Sequence, residues 1–497
     1  MKLLLKYFIW LLSLTSLVLY YLLGTTLGHV SIASLSQNYV NQKFGKQLKV
    51  LSLNIEKYPY IVATLKVNET ALLFVKGEVE RDNINLNYHL KGESFHWNNY
   101  HILQAVNLKG KMHGTLKELF ITGEGEIFYG KTNYSFLKEG KRFDALKVTL
   151  NDVRAEPLLK ILNYDFKLKG KVNAKMNFEY FMPFRKKGVL ELSMKDAIVP
   201  NYFPKMPIAL NAKITYRDLF RQFSLDAMSK EGEVHLVEGK YNKSAALLTA
   251  NYHLQLKELA HFKRFFKQNF YGPFETRGTL KYDKGKPLIK GETESYEGVI
   301  EYLYANEELT AELKGVSLEK LLRQVSFPAL LSAQLYGSVS YGKDKILLIN
   351  TKLREARFRR TNMTDVLKNL TGIDIVEDIY DKSLFAAAYE NSILTSMLHI
   401  DNGVNHLYLN NTRMNAKTNE VTGEFDVFID RQEFLGDIYG TLDDPKVNLD
   451  MSKLIKYQIN KKINNFFGRG KALNKKNTKE KLKEIKSKTG SFLEQMF

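Results

Sequence analysis

Residues Ile84-Asn85-Leu86-Asn87-Tyr88-His89-Leu90 place an apolar side chain at every second position. Successive side chains of a β-strand point to opposite faces, so this stretch predicts a strand with one apolar and one polar face. The same period of two returns in residues 50–55, 190–194, 252–256 and 425–427. The body of the chain is therefore predicted to consist of strands that are apolar on one side only.

Glycine-containing turn sequences separate these strands, for example at residues 91–93, 109–111 and 401–403. Many short strands joined by such turns predict a mainly β fold, a long antiparallel meander. Three short helical patterns interrupt it, at residues 155–162, 316–325 and 361–370. The first two lead into glycine-bearing strands, which suggests a degenerate repeat; ordinary helical connections within one large β domain are the alternative.

Composition restricts the classes of protein to consider. The chain has 497 residues, 44% of them hydrophobic, which excludes a mostly disordered chain because there is ample apolar surface to bury. It has no cysteine, which excludes disulfides, thiol nucleophiles, iron–sulfur centres and cysteine-based zinc sites. The mean hydropathy of −0.29 leaves room for one membrane span at most.

The N-terminus contains one candidate span. Residues 7–23 carry no charge, and the stretch is close to the roughly 20 residues that cross a bilayer. Because Lys2 and Lys6 precede it, the N-terminus is predicted to be cytoplasmic and the remaining chain exported. A cleaved signal peptide, with Ser31 and Ala33 as small residues at the cleavage site, is the alternative. The candidate anchor residues are Tyr7, Phe8, Trp10, Leu11, Leu17, Tyr20, Tyr21 and Leu23.

The region before the C-terminal tail carries the most specific pattern. Alternating strands are followed by Gly440-Thr441-Leu442-Asp443-Asp444-Pro445 and another apolar alternation. This succession resembles the C-terminal region of AsmA-like proteins, which are singly anchored envelope proteins of Gram-negative bacteria related to TamB-type and chorein-type bridge proteins. The motif residues are Gly440, Thr441, Leu442 and Pro445; a glycine at a strand kink and a proline turn also explain them without any function.

The resemblance implies a long sheet curled into an open groove with an apolar lining, and a bacterial inner-membrane protein whose bulk is periplasmic. It implies shielding and passage of phospholipid acyl chains, with a role in outer-membrane homeostasis. A non-enzymatic envelope scaffold, or an assembly factor for outer-membrane proteins, is the alternative. The candidate lining residues are Leu86, Tyr88, Leu190, Leu192, Val234, Leu236, Leu254, Phe425 and Val427.

Residues 452–497 form a strongly basic tail. They contain 13 Lys and Arg and 3 Glu, a net charge of +10 out of +19 for the whole chain. The first part has helical apolar spacing, so it predicts a basic amphipathic helix suited to an anionic membrane surface or an envelope protein; a solvated charged tail is the alternative. The candidate contact residues are Lys453, Lys456, Lys461, Lys462, Phe466 and Phe467.

The sequence shows no pattern of catalytic residues. It has no Gly-x-Ser-x-Gly elbow, phosphate loop or dinucleotide fingerprint, so no enzyme or cofactor is predicted. No nucleic-acid partner is predicted either, because the basic tail lies in the exported region and lacks a recognisable binding module. His89, His96, His101 and His113 lie close in sequence but lack a metal-ligand spacing, and surface histidines are the better interpretation. The predicted organisation is an anchor at 1–28, an elongated β-groove at 29–384, an AsmA-like β region at 385–450 and the tail at 451–497.

Overall fold

The fold is that of a computed structural model, which describes residues 14–15, 17–18, 21, 25–44, 48–68, 70–80, 82–97, 100–115, 117–161, 166–266, 270–324, 331–360, 364–365, 368, 374–429, 432–441 and 445–449. The described chain is mainly β, as predicted. The described residues form 26 antiparallel sheet strands and, separate from them, a two-stranded hairpin. Two compact units divide the chain at Leu254 and Gln255. The predicted boundary at residue 385 falls inside a strand of the second unit.

Unit 1 is a meander in which each strand pairs with the next along the chain, except that β4 pairs with β7 and the hairpin β5–β6 stands apart. Its helices are Thr26–Phe44 and Ala155–Ile161. Its strands are β1 (Leu48–Lys57), β2 (Tyr60–Val67), β3 (Ala71–Val79), β4 (Ile84–Gly92), β5 (Phe95–Trp97), β6 (Tyr100–Ile102), β7 (Val106–Gly114), β8 (Glu118–Ile127), β9 (Gly130–Glu139), β10 (Arg142–Arg154), β11 (Lys171–Phe181), β12 (Lys186–Val199), β13 (Phe203–Arg217), β14 (Phe220–Ser229), β15 (Gly232–Asn242) and β16 (Leu247–Leu256), the last of which crosses the boundary.

Unit 2 is a second antiparallel meander in chain order. Its helices are a 3₁₀-helix at Leu259–Phe262 and α-helices at Lys263–Phe266 and Leu318–Gln324. Its strands are β17 (Phe274–Asp283), β18 (Lys286–Thr293), β19 (Val299–Ala305), β20 (Glu308–Ser317), β21 (Leu331–Tyr341), β22 (Leu347–Phe358), β23 (Ser383–Glu390), β24 (Ile393–Asp401), β25 (His406–Asn415), β26 (Val421–Ile429), β27 (Gln432–Gly440) and β28 (Pro445–Leu449).

Two of the three predicted helical interruptions are confirmed. The helix Ala155–Ile161 follows β10, and the helix Leu318–Gln324 follows β20. The Ser317 hydroxyl accepts a hydrogen bond from the Lys320 amide at 3.4 Å, which is the N-terminal cap that the sequence predicts. The third pattern, at residues 361–370, lies largely outside the described residues.

The helix Thr26–Phe44 was not predicted. It packs against β1, where the Gln37 side chain donates to the Leu48 carbonyl at 3.0 Å and accepts from the Val50 amide. Its sequence lacks an apolar stripe at helical spacing, which is why periodicity did not reveal it.

The predicted membrane anchor falls mostly outside the described residues; of its eight residues only Leu17 and Tyr21 are described, both in helical conformation. Across the described ranges, no helix combines the length and apolar character that a membrane span needs. The basic tail lies outside the described residues altogether.

Candidate functional site

The pairing register of unit 1 puts the candidate lining residues on one face. In an antiparallel pair, residues directly opposite each other share a face. Leu86 lies opposite Met112, Leu190 opposite Met176, and Leu236 opposite Leu225. Following these pairs from strand to strand places six of the predicted residues together on what we call the apolar face of unit 1: Leu86, Tyr88, Leu190, Leu192, Val234 and Leu236.

Most of the apolar face is half-exposed rather than sealed. Met112, Ile121, Ile214, Leu225 and Leu236 all keep intermediate exposure. None of them belongs to the buried core cluster of this unit. Soluble proteins generally avoid leaving a contiguous apolar surface in this state unless it binds something.

The opposite face of unit 1 is polar. Charged side chains pair across neighbouring strands there, with Lys213 Nζ 3.0 Å from Glu191 and Lys109 Nζ 3.2 Å from Glu124. Three shallow depressions on this face are lined mainly by Lys, Asn, Ser and Thr. The alternation in the sequence thus divides the unit into one apolar and one hydrated side.

Among the described residues, other chain elements cover the apolar face along one side, which we call the covered rim. The helix Ala155–Ile161 packs there against β6 and β10. Beneath the helix and the hairpin β5–β6, Val106, Val153 and Ala197 are almost completely buried. The opposite strand ends, joined by the turns at residues 182–185, 218–219 and 243–246, form the open rim. Among the described residues, no helix packs on that rim.

Two tyrosines of the apolar face lie across a pair of glycines. Gly110 and Gly123 face each other on β7 and β8, flanked by Tyr88 and Tyr134 on the neighbouring strands. The two hydroxyls are 2.6 Å apart, and a Cβ on Gly123 would lie 2.5 Å from the Tyr134 ring. Burial raises the pKa of both phenols. Tyr88 therefore lies against the sheet instead of standing out from it.

The same arrangement of an aromatic ring on a glycine occurs elsewhere. A Cβ on Gly239 would meet the Phe223 ring at 2.5 Å, and one on Gly436 would meet the Phe425 ring at 2.5 Å. Sequence reasoning missed these pairs. The detectable signal is a glycine in phase with the apolar residues of its strand, as Gly110 and Gly123 are.

Unit 2 has its own apolar face. Phe425 and Val427 lie opposite Leu409 and Leu407 of β25, and the pairs from Leu409 continue through Leu398 and Phe385 to Thr351 of β22, which is in phase with Leu353. The helix Leu318–Gln324 covers one end of this face, and its partly buried Leu318 and Leu321 pack against the core cluster of the unit. Its buried Gln324 side chain accepts a hydrogen bond from the Tyr296 hydroxyl. Burial, the largest cause, raises the pKa of that phenol.

The remaining predicted residues are placed as follows. Leu254 is half-buried in β16, at the boundary between the units. Gly440 ends β27 with φ +104° and pairs with Pro445 at the start of β28, and Thr441 forms an isolated bridge with Glu420. Leu442 lies outside the described residues. The motif residues that are described serve a strand-to-strand turn.

His89 and His113 lie on the polar face of β4 and β7, and His96 pairs in register with His101 in the hairpin. Away from them, His235 Nδ1 is 2.7 Å from Asp226, and that hydrogen bond is the main reason its pKa is raised. Within the described ranges, no group of three or more His, Asp or Glu side chains is arranged to hold a metal ion.

Comparisons of the chain with protein-family models, curated proteins and solved structures gave no match.

Proposed function

We propose that this chain is a membrane-anchored, AsmA-like periplasmic protein that shields and conducts phospholipid acyl chains along an apolar β-groove. The observation that carries the proposal is the apolar face of unit 1, which is half-exposed, continuous across strands and covered along one rim by the described residues. Lipid tails match such a surface in chemistry, since each buried CH₂ contributes about 0.8 kcal/mol.

The aromatic rings that lie flat over glycines are consistent with space for a ligand above the sheet. A Phe or Tyr standing upright would fill the space above the sheet, whereas the Tyr134, Phe223 and Phe425 rings lie directly over glycines. At these positions, two in unit 1 and one in unit 2, the ring adds little height above the sheet. Headgroups would remain hydrated at the open rim, and passage along the face needs no bond to be made or broken.

The proposed location rests on the N-terminus. The uncharged run at residues 7–23, preceded by Lys2 and Lys6, would anchor the chain in the bacterial inner membrane with its bulk in the periplasm. The basic residues 452–497 would contact an anionic membrane surface or an envelope protein. The physiological role proposed is lipid transport that maintains the outer membrane.

The proposal is tested with one pair of substitutions on strand β12. Leu190→Glu puts a charge on the apolar face, whereas Val189→Glu puts the same charge on the polar face one residue away. The full chain is purified in mild detergent, and its bound phospholipid and its transfer of labelled phospholipid between vesicles are measured. We expect Leu190→Glu to lower both several-fold, because a buried charge excludes acyl chains, and Val189→Glu to resemble the parent protein.

Circular dichroism and the thermal unfolding midpoint verify that both variants are folded. Equal lipid content in the two variants would contradict the proposal. A parent protein that carries no phospholipid but co-purifies with an outer-membrane protein would instead favour the envelope scaffold.

A further inference from the structure

Three cations gather at the open rim of unit 1. Lys186 begins β12, Arg221 lies near the start of β14, and Lys243 follows β15. The Asp218 amide donates to the Lys186 carbonyl at 2.8 Å, and the Lys243 amide donates to the Leu219 carbonyl at 3.1 Å. These backbone bonds tie the neighbouring strand ends together.

Two of the cations lie on the apolar face itself. Lys186 is in phase with Leu190 on β12, and Arg221 lies opposite Tyr216, which shares that face. A cation at an apolar-phase position is unusual, because a half-buried charge loses hydration. In the sequence the same signal is visible as a Lys or Arg that takes the place of an apolar residue at a strand start.

Aromatic rings hold these side chains. Lys186 Nζ lies 4.3 Å from the centre of the Phe181 ring, and the Arg221 guanidinium lies 5.4 Å from Tyr216 and 5.2 Å from Tyr241. Lys243 Nζ lies 5.8 Å from the Phe184 ring. Cation–π contacts position a charge but leave its N–H donors available for an anion.

The three cations lack a carboxylate partner among the described residues. Their neighbours on the polar face differ, since Lys187 pairs with Glu179 at 2.6 Å and Lys213 with Glu191 at 3.0 Å. Burial, and then the charges of Arg221 and Lys243, lower the pKa of Lys186. Cations at strand ends joined by backbone hydrogen bonds, without carboxylate partners, favour an anion there.

Exposed apolar side chains surround the cluster. Phe184 is 77% exposed and Phe220 58% exposed, both at turns of the open rim, with Leu219 beside them. An apolar face that ends in cations and exposed aromatics matches an amphiphile whose tail is apolar and whose head is anionic.

We propose that Lys186, Arg221 and Lys243 bind the phosphate of an anionic phospholipid headgroup whose acyl chains lie on the apolar face of unit 1. This inference rests on the proposed function and assigns its ligand class and a headgroup site. Arg221 is suited to bidentate contact with phosphate oxygens, and the lysines supply point charges on either side.

The test compares two triple variants of the full chain with equal loss of charge. Lys186→Gln/Arg221→Gln/Lys243→Gln removes the cluster, and Lys187→Gln/Lys213→Gln/Lys240→Gln removes three cations of the polar face. Binding of phosphatidylglycerol and phosphatidylcholine from mixed detergent micelles is measured by native mass spectrometry. Glycerol 3-phosphate serves as the probe for a phosphate without acyl chains.

We expect the parent protein and the polar-face variant to prefer phosphatidylglycerol. We expect the cluster variant to lose roughly tenfold of that preference, the size of effect that one charge-assisted hydrogen bond supplies. Its phosphatidylcholine binding should fall less than its phosphatidylglycerol binding, because the choline cation offsets the charge of the same phosphate. The preference should weaken with added salt.

Three results would overturn the inference in distinguishable ways. If the parent protein binds lipid without a headgroup preference, the headgroup site is contradicted but the proposed function is not. Glycerol 3-phosphate bound as tightly as phosphatidylglycerol makes the cluster a free-phosphate site. No lipid bound at all overturns the proposed function together with this inference.

Discussion

Individual glycines set how far the apolar face rises above the sheet. Gly123 leaves space for the Tyr134 ring and Gly239 for the Phe223 ring. Each ring buries apolar area against the backbone, which compensates for the side chain that the glycine lacks. The alternation of β4 is evident from the sequence, but the pairing of an aromatic ring with a glycine is not. The two residues lie on different strands and are brought together only by the strand register.

A substitution at Gly123 tests this role. Gly123→Val should lower the free energy of unfolding by about 1–3 kcal/mol, because the new side chain meets the Tyr88 hydroxyl and the Tyr134 ring. Thr122→Val, the neighbouring residue on the opposite face, should change it by no more than about 0.5 kcal/mol. Urea denaturation followed by circular dichroism measures both. Equal stability of the two variants would mean that the rings do not depend on the glycine.

At the scale of secondary-structure elements, a short helix covers one side of each apolar face. The two confirmed helices were recognisable from sequence because apolar spacing coincided with a helix start. Pro157 stands in the first turn of one, and Ser317 caps the other. Their partners were not recognisable. Tyr296 and Gln324 are 28 residues apart, and only the fold brings the phenol to the amide.

The contact between Tyr296 and Gln324 gives a prediction about the helix Leu318–Gln324. Tyr296→Phe removes the hydroxyl that donates to the buried Gln324 side-chain oxygen. This substitution should lower the free energy of unfolding by about 1–3 kcal/mol, because the buried oxygen loses its partner. Adding Gln324→Leu should recover most of that loss, because an apolar pair has no unsatisfied group. The midpoints of urea denaturation for the single and double variants measure the effect.

Arg323→Ala is the matched control on the same helix. Arg323 pairs with Glu319 at the surface, where such a pair contributes about 1 kcal/mol or less. A double variant less stable than Tyr296→Phe alone would contradict the assigned role of the hydrogen bond.

The two units repeat one construction at the scale of the whole molecule. In each unit, a strand with an irregular register leads into a short helix. The backbone hydrogen bond beside the helix is also the same: the Arg154 amide donates to the Phe128 carbonyl, and the Ser317 amide to the Tyr296 carbonyl, both at 2.9 Å. The two helical interruptions therefore share one local backbone arrangement. Each unit keeps an apolar face, and the proposed function follows from leaving that face to a ligand.

Photo-crosslinking along one strand tests that central claim most directly. A photoreactive amino acid is placed in turn at Val189, Leu190, Glu191, Leu192 and Ser193 of β12, and covalently attached phospholipid is counted after irradiation in cells. We predict lipid adducts from Leu190 and Leu192, on the apolar face, and none from the three residues between and beside them. Adducts without this period of two, or no adducts at any position of folded protein, would contradict the account.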